Sequence, residues 1–444
     1  MNTPICDFVH KYNENGPLRL HMPGHKGTSF LGMESLDITE FDGADNLYEA
    51  NGIIAESESN AGKLFGCTSF YSTEGSSQCI RAMLYLALMQ AKVKGRAPLV
   101  IAGRNVHKSF VTAAAMLDFD VDWIYSDDDS YISCRIDADF LKEKLKRSSV
   151  LPAAVYITSP DYLGMCADIR SISKVCHEFE VPLLVDNAHG AYLKFLPSSL
   201  HPMDLGADIC CDSAHKTLPA LTGSAYLHFS NGIMNEYVQY AKIALSLFGS
   251  TSPSYLILQS LDLLNVYLES HRQRLLNFLP NVRTLKQHLL EHGYTLYGDE
   301  VLKLSIQAKK FGYTGLSLAN ILKENGIVCE FADPDYLVLM LTPELGEVGL
   351  QRLESVLCMV SRRDPIDTLP PVILKGEKLM SARNAVFSPS EEIAVNDCEG
   401  RIFAGGSLAC PPAIPIVVSG EKINQNMISC FRYYGIEHCR VVIE

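Results

Sequence analysis

Four short stretches of the 444-residue chain hold residue types that do chemistry together. Asp212-Ser213-Ala214-His215-Lys216-Thr217 follows the apolar run 209–211 and leads into Leu218-Pro219, so it reads as a tight turn. Lys216 offers an amine that can hold a carbonyl compound covalently, and Ser213 and His215 alternate with it as donors for an anion. Thirty residues earlier, Val185-Asp186-Asn187-Ala188-His189-Gly190 closes another apolar run. A carboxylate at the end of a buried strand needs a partner, and the N–H of a protonated pyridine ring is one. Ser72-Thr73-Glu74-Gly75-Ser76-Ser77-Gln78 stands before an apolar helical stretch. Glycine, hydroxyls and unused backbone N–H groups at a helix start make an anion site. Finally, Arg104-Asn105-Val106-His107-Lys108-Ser109 follows the apolar run 98–102 and presents His107, whose neutral imidazole can stack on a flat ring.

Each stretch also has a plainer reading. Lys216 could sit on a surface turn, Asp186 could cap the next helix, Ser76 and Ser77 could be an ordinary N-cap, and His107 could be a bystander on a loop. Taken together they supply what pyridoxal phosphate (PLP) asks of a protein: an amine, an acid for the ring nitrogen, donors for the phosphate and a group against the ring.

These residues need strand ends and turns to hold them. Apolar runs at 98–102, 121–125, 153–158, 181–186, 209–211 and 225–229 alternate with helical stretches. Uninterrupted apolar strands are those covered on both faces, and strand–helix alternation predicts an α/β fold with a mainly parallel sheet. Helices are expected over 53–65 and 77–92, the latter with the stripe Ile80, Met83, Leu84, Leu86 and Ala87, and over 253–290. The first 30 or so residues, rich in Pro and Gly from Pro17 to Gly27, read as irregular. Strand candidates at 301–305 and 336–341 suggest a smaller α+β segment, Pro365, Pro370 and Pro371 a linker, and 414–418 a strand of a last segment. The expected division is an N-terminal arm 1–30, a large domain 31–290, a small α+β domain 291–364 and a C-terminal domain 365–444.

A net charge of −13 argues against binding a nucleic-acid backbone, which needs clustered Lys and Arg. The 14 cysteines include no CxxC pair and no zinc spacing, so no metal is expected and the thiols read as reduced. No signal peptide or membrane-length apolar run is seen, and the protein is expected in the cytoplasm, off the membrane. The acidic run Asp127-Asp128-Asp129-Ser130 lacks the spacing of a calcium loop. GxxxxGK[ST], HExxH and GxSxG are absent.

The ordered set Leu20-His21-Met22-Pro23-Gly24-His25-Lys26-Gly27, Arg104 to Ser109, Asp186-Asn187-Ala188-His189-Gly190, Ser213-Ala214-His215-Lys216, Thr251-Ser252-Pro253-Ser254-Tyr255 and Cys410-Pro411-Pro412-Ala413-Ile414-Pro415 with Gly420-Glu421 resembles the prokaryotic Orn/Lys/Arg decarboxylase family. The resemblance spans nearly the whole chain and is to the short form, without a receiver-like N-terminal domain. It implies PLP fold type I (aspartate-aminotransferase-like) and decarboxylation of lysine, arginine or ornithine to a polyamine-type amine. It implies Lys216 in the Schiff base, Asp186 on the pyridine nitrogen, His107 on the ring, and Ser76, Ser77, Ser213 and His215 on the phosphate, with His189 also in the cofactor site. It further implies a homodimer or larger homo-oligomer, with Thr251 and Ser252 reaching the neighbouring subunit's phosphate, and Glu421 for the substrate's distal cation.

The chain departs from the usual family pattern at Glu74, Asn187 and Ala413, where Asn, Glu and Gly are common, and these changes bear on substrate choice. Two alternatives stand beside decarboxylation: another fold type I reaction, such as aminotransfer or elimination, and a PLP-binding homologue without catalysis.

Overall fold

The computed structural model of the chain describes residues 1–125, 136–233, 235–410 and 414–443. The acidic run 127–130 and the Pro411–Ala413 stretch lie outside the described residues. Two compact units are present: one of residues 1–95 and 169–275, the other of 96–168 and 276–444.

Seven strands follow in chain order: β1 (Thr68–Ser72), β2 (Leu99–Gly103), β3 (Asp120–Ile124), β4 (Ala154–Thr158), β5 (Leu183–Asp186), β6 (Ile209–Asp212) and β7 (Ala225–Phe229). In the first unit the order is β1-β7-β6-β5. β5 and β6 are parallel, and β7 runs antiparallel to both of its neighbours. In the second unit β4-β2-β3 are all parallel. β5, β6 and β7 are buried along their full length, as expected for strands covered on both faces.

The helices are α1 (Pro4–Glu14), α2 (Ile53–Phe65), α3 (Ser76–Val93) and α4 (Lys108–Leu117), followed by shorter ones and a long helix, Tyr255–Glu291, that begins in the first unit and ends in the second. α3 packs on β5, β6 and β7, and its expected stripe from Ile80 to Ala87 is buried. α1 corrects the reading of an irregular start. Pro4 stands at the first helical turn, where its missing N–H costs nothing. The backbone N–H groups of Ile5 and Cys6 donate to Asp262 Oδ2 at 2.9 and 3.0 Å, so a carboxylate from the long helix caps α1. β1 was likewise not anticipated. Its sequence Thr-Ser-Phe-Tyr-Ser is too polar to stand out, yet it pairs with β7 over five residues.

The second unit also holds the antiparallel sheet β10-β11-β9-β8, built from β8 (Leu296–Tyr297), β9 (Lys303–Gln307), β10 (Phe331–Ala332) and β11 (Tyr336–Met340). Three two-stranded pairs follow it: 377–378 with 421–422, 390–394 with 438–442, and 407–410 with 414–418. Phe403, Ile416, Met427 and Phe431 are the centre of their core. Phe431→Ala should destabilise this segment by about 3–5 kcal/mol, because the cavity adds to the lost transfer energy. Chemical denaturation would read it as a lowered midpoint, and a change below about 1 kcal/mol would contradict the assigned core.

Candidate active site

β6 ends at Asp212, and Ser213, in extended conformation, opens a single helical turn, Ala214–Thr217. The turn cannot continue because Pro219 follows and disfavours helix in the residue before it. Lys216 Nζ lies 3.2 Å from His189 Nε2, on the turn that leaves β5. Asp186, the last residue of β5, is 2% exposed. Its Oδ1 accepts from the Ala188 N–H at 3.2 Å and from the Cys211 thiol at 3.7 Å. Parallel pairing sets Asp186 opposite Cys211, so the two strand ends and their turns are adjacent. Ligands in open α/β sheets bind at such carboxyl ends.

The start of α3 meets the same turns. Gly75 has φ +70°, a conformation that glycine adopts without strain, and its N–H donates to Gly223 O at 2.8 Å. Gly223 has φ +98°, and a Cβ there would lie 2.9 Å from Thr73 O. Gly75, at the N-cap of α3, offers no capping side chain, and helix starts of this kind can bind an anion through backbone N–H groups. Ser213 Oγ and Ser76 Oγ are 2.8 Å apart. The buried hydroxyls of Thr73, Thr217 and Ser224 have no hydrogen-bond partner. Buried hydroxyls left over around an uncapped helix start fit a phosphate. His215 is held by Ser224 O, 3.0 Å from its Nδ1. Burial lowers its pKa, the Ser224 carbonyl opposes this, and the Lys216 charge lowers it further. With Nδ1–H given to Ser224, Nε2 donates to a phosphate only as the imidazolium.

Behind the two turns lies a second carboxylate that the sequence left without a role. Asp212 is fully buried. Its Oδ1 accepts from Asn187 Nδ2 at 2.6 Å, and its Oδ2 faces His201 Nε2 at 2.9 Å and His228 Nε2 at 3.2 Å. Burial alone would raise the Asp212 pKa, but His201 and then His228 hold it below the usual carboxylate range. Burial likewise opposes charge on His228, which Cys67 and Asp212 overcome, lifting its pKa to about 9. His201 Nδ1 accepts from the Met203 N–H at 3.3 Å, which leaves the proton on Nε2, toward Asp212.

Lys216, His189, Asp186, Ser76 and Ser213 are thus assembled within the first unit. Ser77, also in the first turn of α3, is partly exposed. Thr251 and Ser252 are exposed on the segment before the long helix and join none of these contacts. His107 belongs to the second unit, where its Nδ1 caps α4 by accepting from the Ser109 N–H at 3.2 Å. Glu421 is buried there as well. Its Oε2 takes Arg104 Nη2 at 2.7 Å and the Val418 N–H at 3.0 Å. Arg104 also lies over Trp123, 4.9 Å from the ring centre.

Residues 3–299 match the family model for the Orn/Lys/Arg decarboxylase major domain, and residues 373–437 match that for its C-terminal domain. The chain belongs to the Orn/Lys/Arg decarboxylase family. It is 30% identical over 464 residues to an arginine decarboxylase of Bacillus subtilis (strain 168), covering 96% of this chain and 92% of the relative. An arginine decarboxylase of Halalkalibacterium halodurans is 28% identical, with 97% and 93% covered. Among solved structures, a lysine decarboxylase of Francisella novicida superposes with TM-score 0.80 at 17% identity, over 99% of this chain and 81% of that one. Lysine decarboxylase A of Pseudomonas aeruginosa gives TM-score 0.79 at 17% identity, over 98% and 76%. These likenesses show the fold, PLP fold type I. This Orn/Lys/Arg decarboxylase is a PLP-dependent enzyme that decarboxylates a basic amino acid.

The pH dependence of the Asp212 cluster follows from His228. A histidine whose pKa is raised on folding contributes stability fully below its ordinary value of about 6.5 and loses it as pH rises through the folded value, here about 9. Thermal melts should therefore find His228→Gln less stable than the parent by roughly 5 °C at neutral pH. The gap should narrow as pH passes about 9. A gap independent of pH would contradict a charged His228.

Proposed function

We propose that Lys216 carries PLP covalently through its amine and that the substrate is arginine. The observation that carries the site assignment is the meeting of Lys216, His189 and Asp186 with the uncapped, hydroxyl-lined start of α3. The names of the relatives support arginine.

PLP supplies a carbonyl carbon for condensation with the substrate amine and a ring that takes up the electron pair left when CO2 departs. The protein's residues do the rest. Lys216 would hold PLP through its amine. His189 Nε2, 3.2 Å from Lys216 Nζ, holds or accepts the proton at that nitrogen. Asp186 favours the protonated ring nitrogen as a close opposite charge. Ser76, Ser77, Ser213 and His215, with the N–H groups of α3, hold the phosphate. His107 is assigned to the ring face and Glu421 to the distal cation, although Arg104 already engages one oxygen of Glu421. The product is a polyamine-type amine, one CO2 lighter than the substrate.

The reading extends to a cytoplasmic homodimer in which Thr251 and Ser252 serve the neighbouring subunit's phosphate. Leu18, Leu20, Phe30 and Leu31 are each about four-fifths exposed, more apolar surface than a lone subunit usually leaves open. Among the described residues no helix is long and apolar enough to cross a membrane. The division into large, small and C-terminal domains near 290 and 365 is supported by the matched segments 3–299 and 373–437.

Purified protein with PLP and L-arginine should yield agmatine, and Lys216→Ala should yield none. L-lysine and L-ornithine, run separately, would give cadaverine or putrescine if the specificity lies elsewhere. A keto acid in place of an amine would contradict decarboxylation. Light scattering should find twice the subunit mass, and Leu20→Glu with Phe30→Glu should shift it toward the monomer; a monomeric parent would contradict the shared site.

A further inference from the structure

Two turns must hold their residues in fixed relation for any chemistry at Lys216: the one after β5, with Asp186 and His189, and the one after β6, with Ser213 and Lys216. We infer that Asp212 is a positioning residue that ties these turns together, through Asn187 on one oxygen and a clamp of His201 and His228 on the other. This rests on the reading of Lys216 and Asp186 as cofactor residues.

The geometry assigns each oxygen its own task. Oδ1 reaches forward to Asn187, which directly follows Asp186 and is itself fully buried. The Asn187 turn is closed tightly: the Gly190 N–H donates to Asn187 O at 2.7 Å, and a Cβ at residue 190 would lie 2.0 Å from Asn187 Oδ1. The Asn187 side chain is thus packed directly against the turn that carries His189. Oδ2 reaches back to the two histidines, which are anchored elsewhere. His201 is fixed by the Met203 N–H, and His228 by Ser69 Oγ, 2.8 Å from its Nδ1. Phe65 packs on both rings, with centroids 5.5 Å from His201 and 4.5 Å from His228. The carboxylate therefore has little freedom, and what it holds is held through it. Because His228 carries a compensating charge, the cluster does this without adding a net negative charge beside Asp186. A buried ion pair is not needed for stability alone, since apolar residues of similar volume often serve equally well. Its value here is directional.

The test uses holoenzyme and two variants. Asn187→Leu keeps the volume and removes the link. Asp212→Asn keeps the shape and removes the charge. Asn187→Leu should weaken PLP binding, measured by fluorescence titration, shift the cofactor's visible absorption band, and lower kcat on the order of ten- to a hundredfold with KM little changed. Asp212→Asn should do the same, and the double variant should be no worse than the worse single one, since both break one connection. If Asp212→Asn does not fold, Asn187→Leu alone decides. Unchanged PLP affinity, band and kcat in a variant with a lowered melting temperature would reduce Asp212 to a structural role and overturn the inference. Failure of the parent protein to take up PLP would instead overturn the cofactor reading, and this inference with it.

Discussion

Two carboxylates, Asp186 and Asp212, end neighbouring parallel strands in the interior of the first unit, and neither can be left there as a bare charge. Asp212 is answered by the protein itself, with two imidazoles and an amide. Asp186 accepts from the Ala188 N–H and from the Cys211 thiol of the neighbouring strand. The turns after β5 and β6 each begin at one of these residues.

The phosphate end follows a different principle. α3 starts at a glycine with positive φ and has no side-chain cap. A helix start whose N-cap offers no side chain is stabilised by an anion. Stability is thus withheld at one end of a well-buried helix and available to a ligand, while the apolar stripe of the same helix holds it against β5, β6 and β7. The parallel strands bring this helix start and the two turns to one place, as open α/β sheets commonly do.

Much of this was legible in the sequence because its signals are local. β2 to β7 stand out as apolar runs between helical stretches, and Lys216 on its short turn, Asp186 at a strand end and Ser76 at a helix start have neighbours that announce them. What escaped depends on partners far along the chain. β1 is a strand because β7 pairs with it, despite its hydroxyl-rich sequence. α1 is capped by Asp262, more than 250 residues later. His201 and His228 look like isolated histidines until Asp212 is set between them. Glu421 is singled out in the sequence only through the family resemblance, for a distal cation, and its ion pair with Arg104 spans 317 residues of sequence. Local pattern reports what a segment can form, whereas a buried polar contact requires two segments to be known at once.

The bond between Lys216 and the cofactor can be tested directly. Holoenzyme reduced with borohydride, digested and analysed by mass spectrometry should carry a phosphopyridoxyl group on the peptide containing Lys216 and on no other. A modification on a different lysine, or a reduced protein of unmodified mass that had bound PLP beforehand, would contradict the site described.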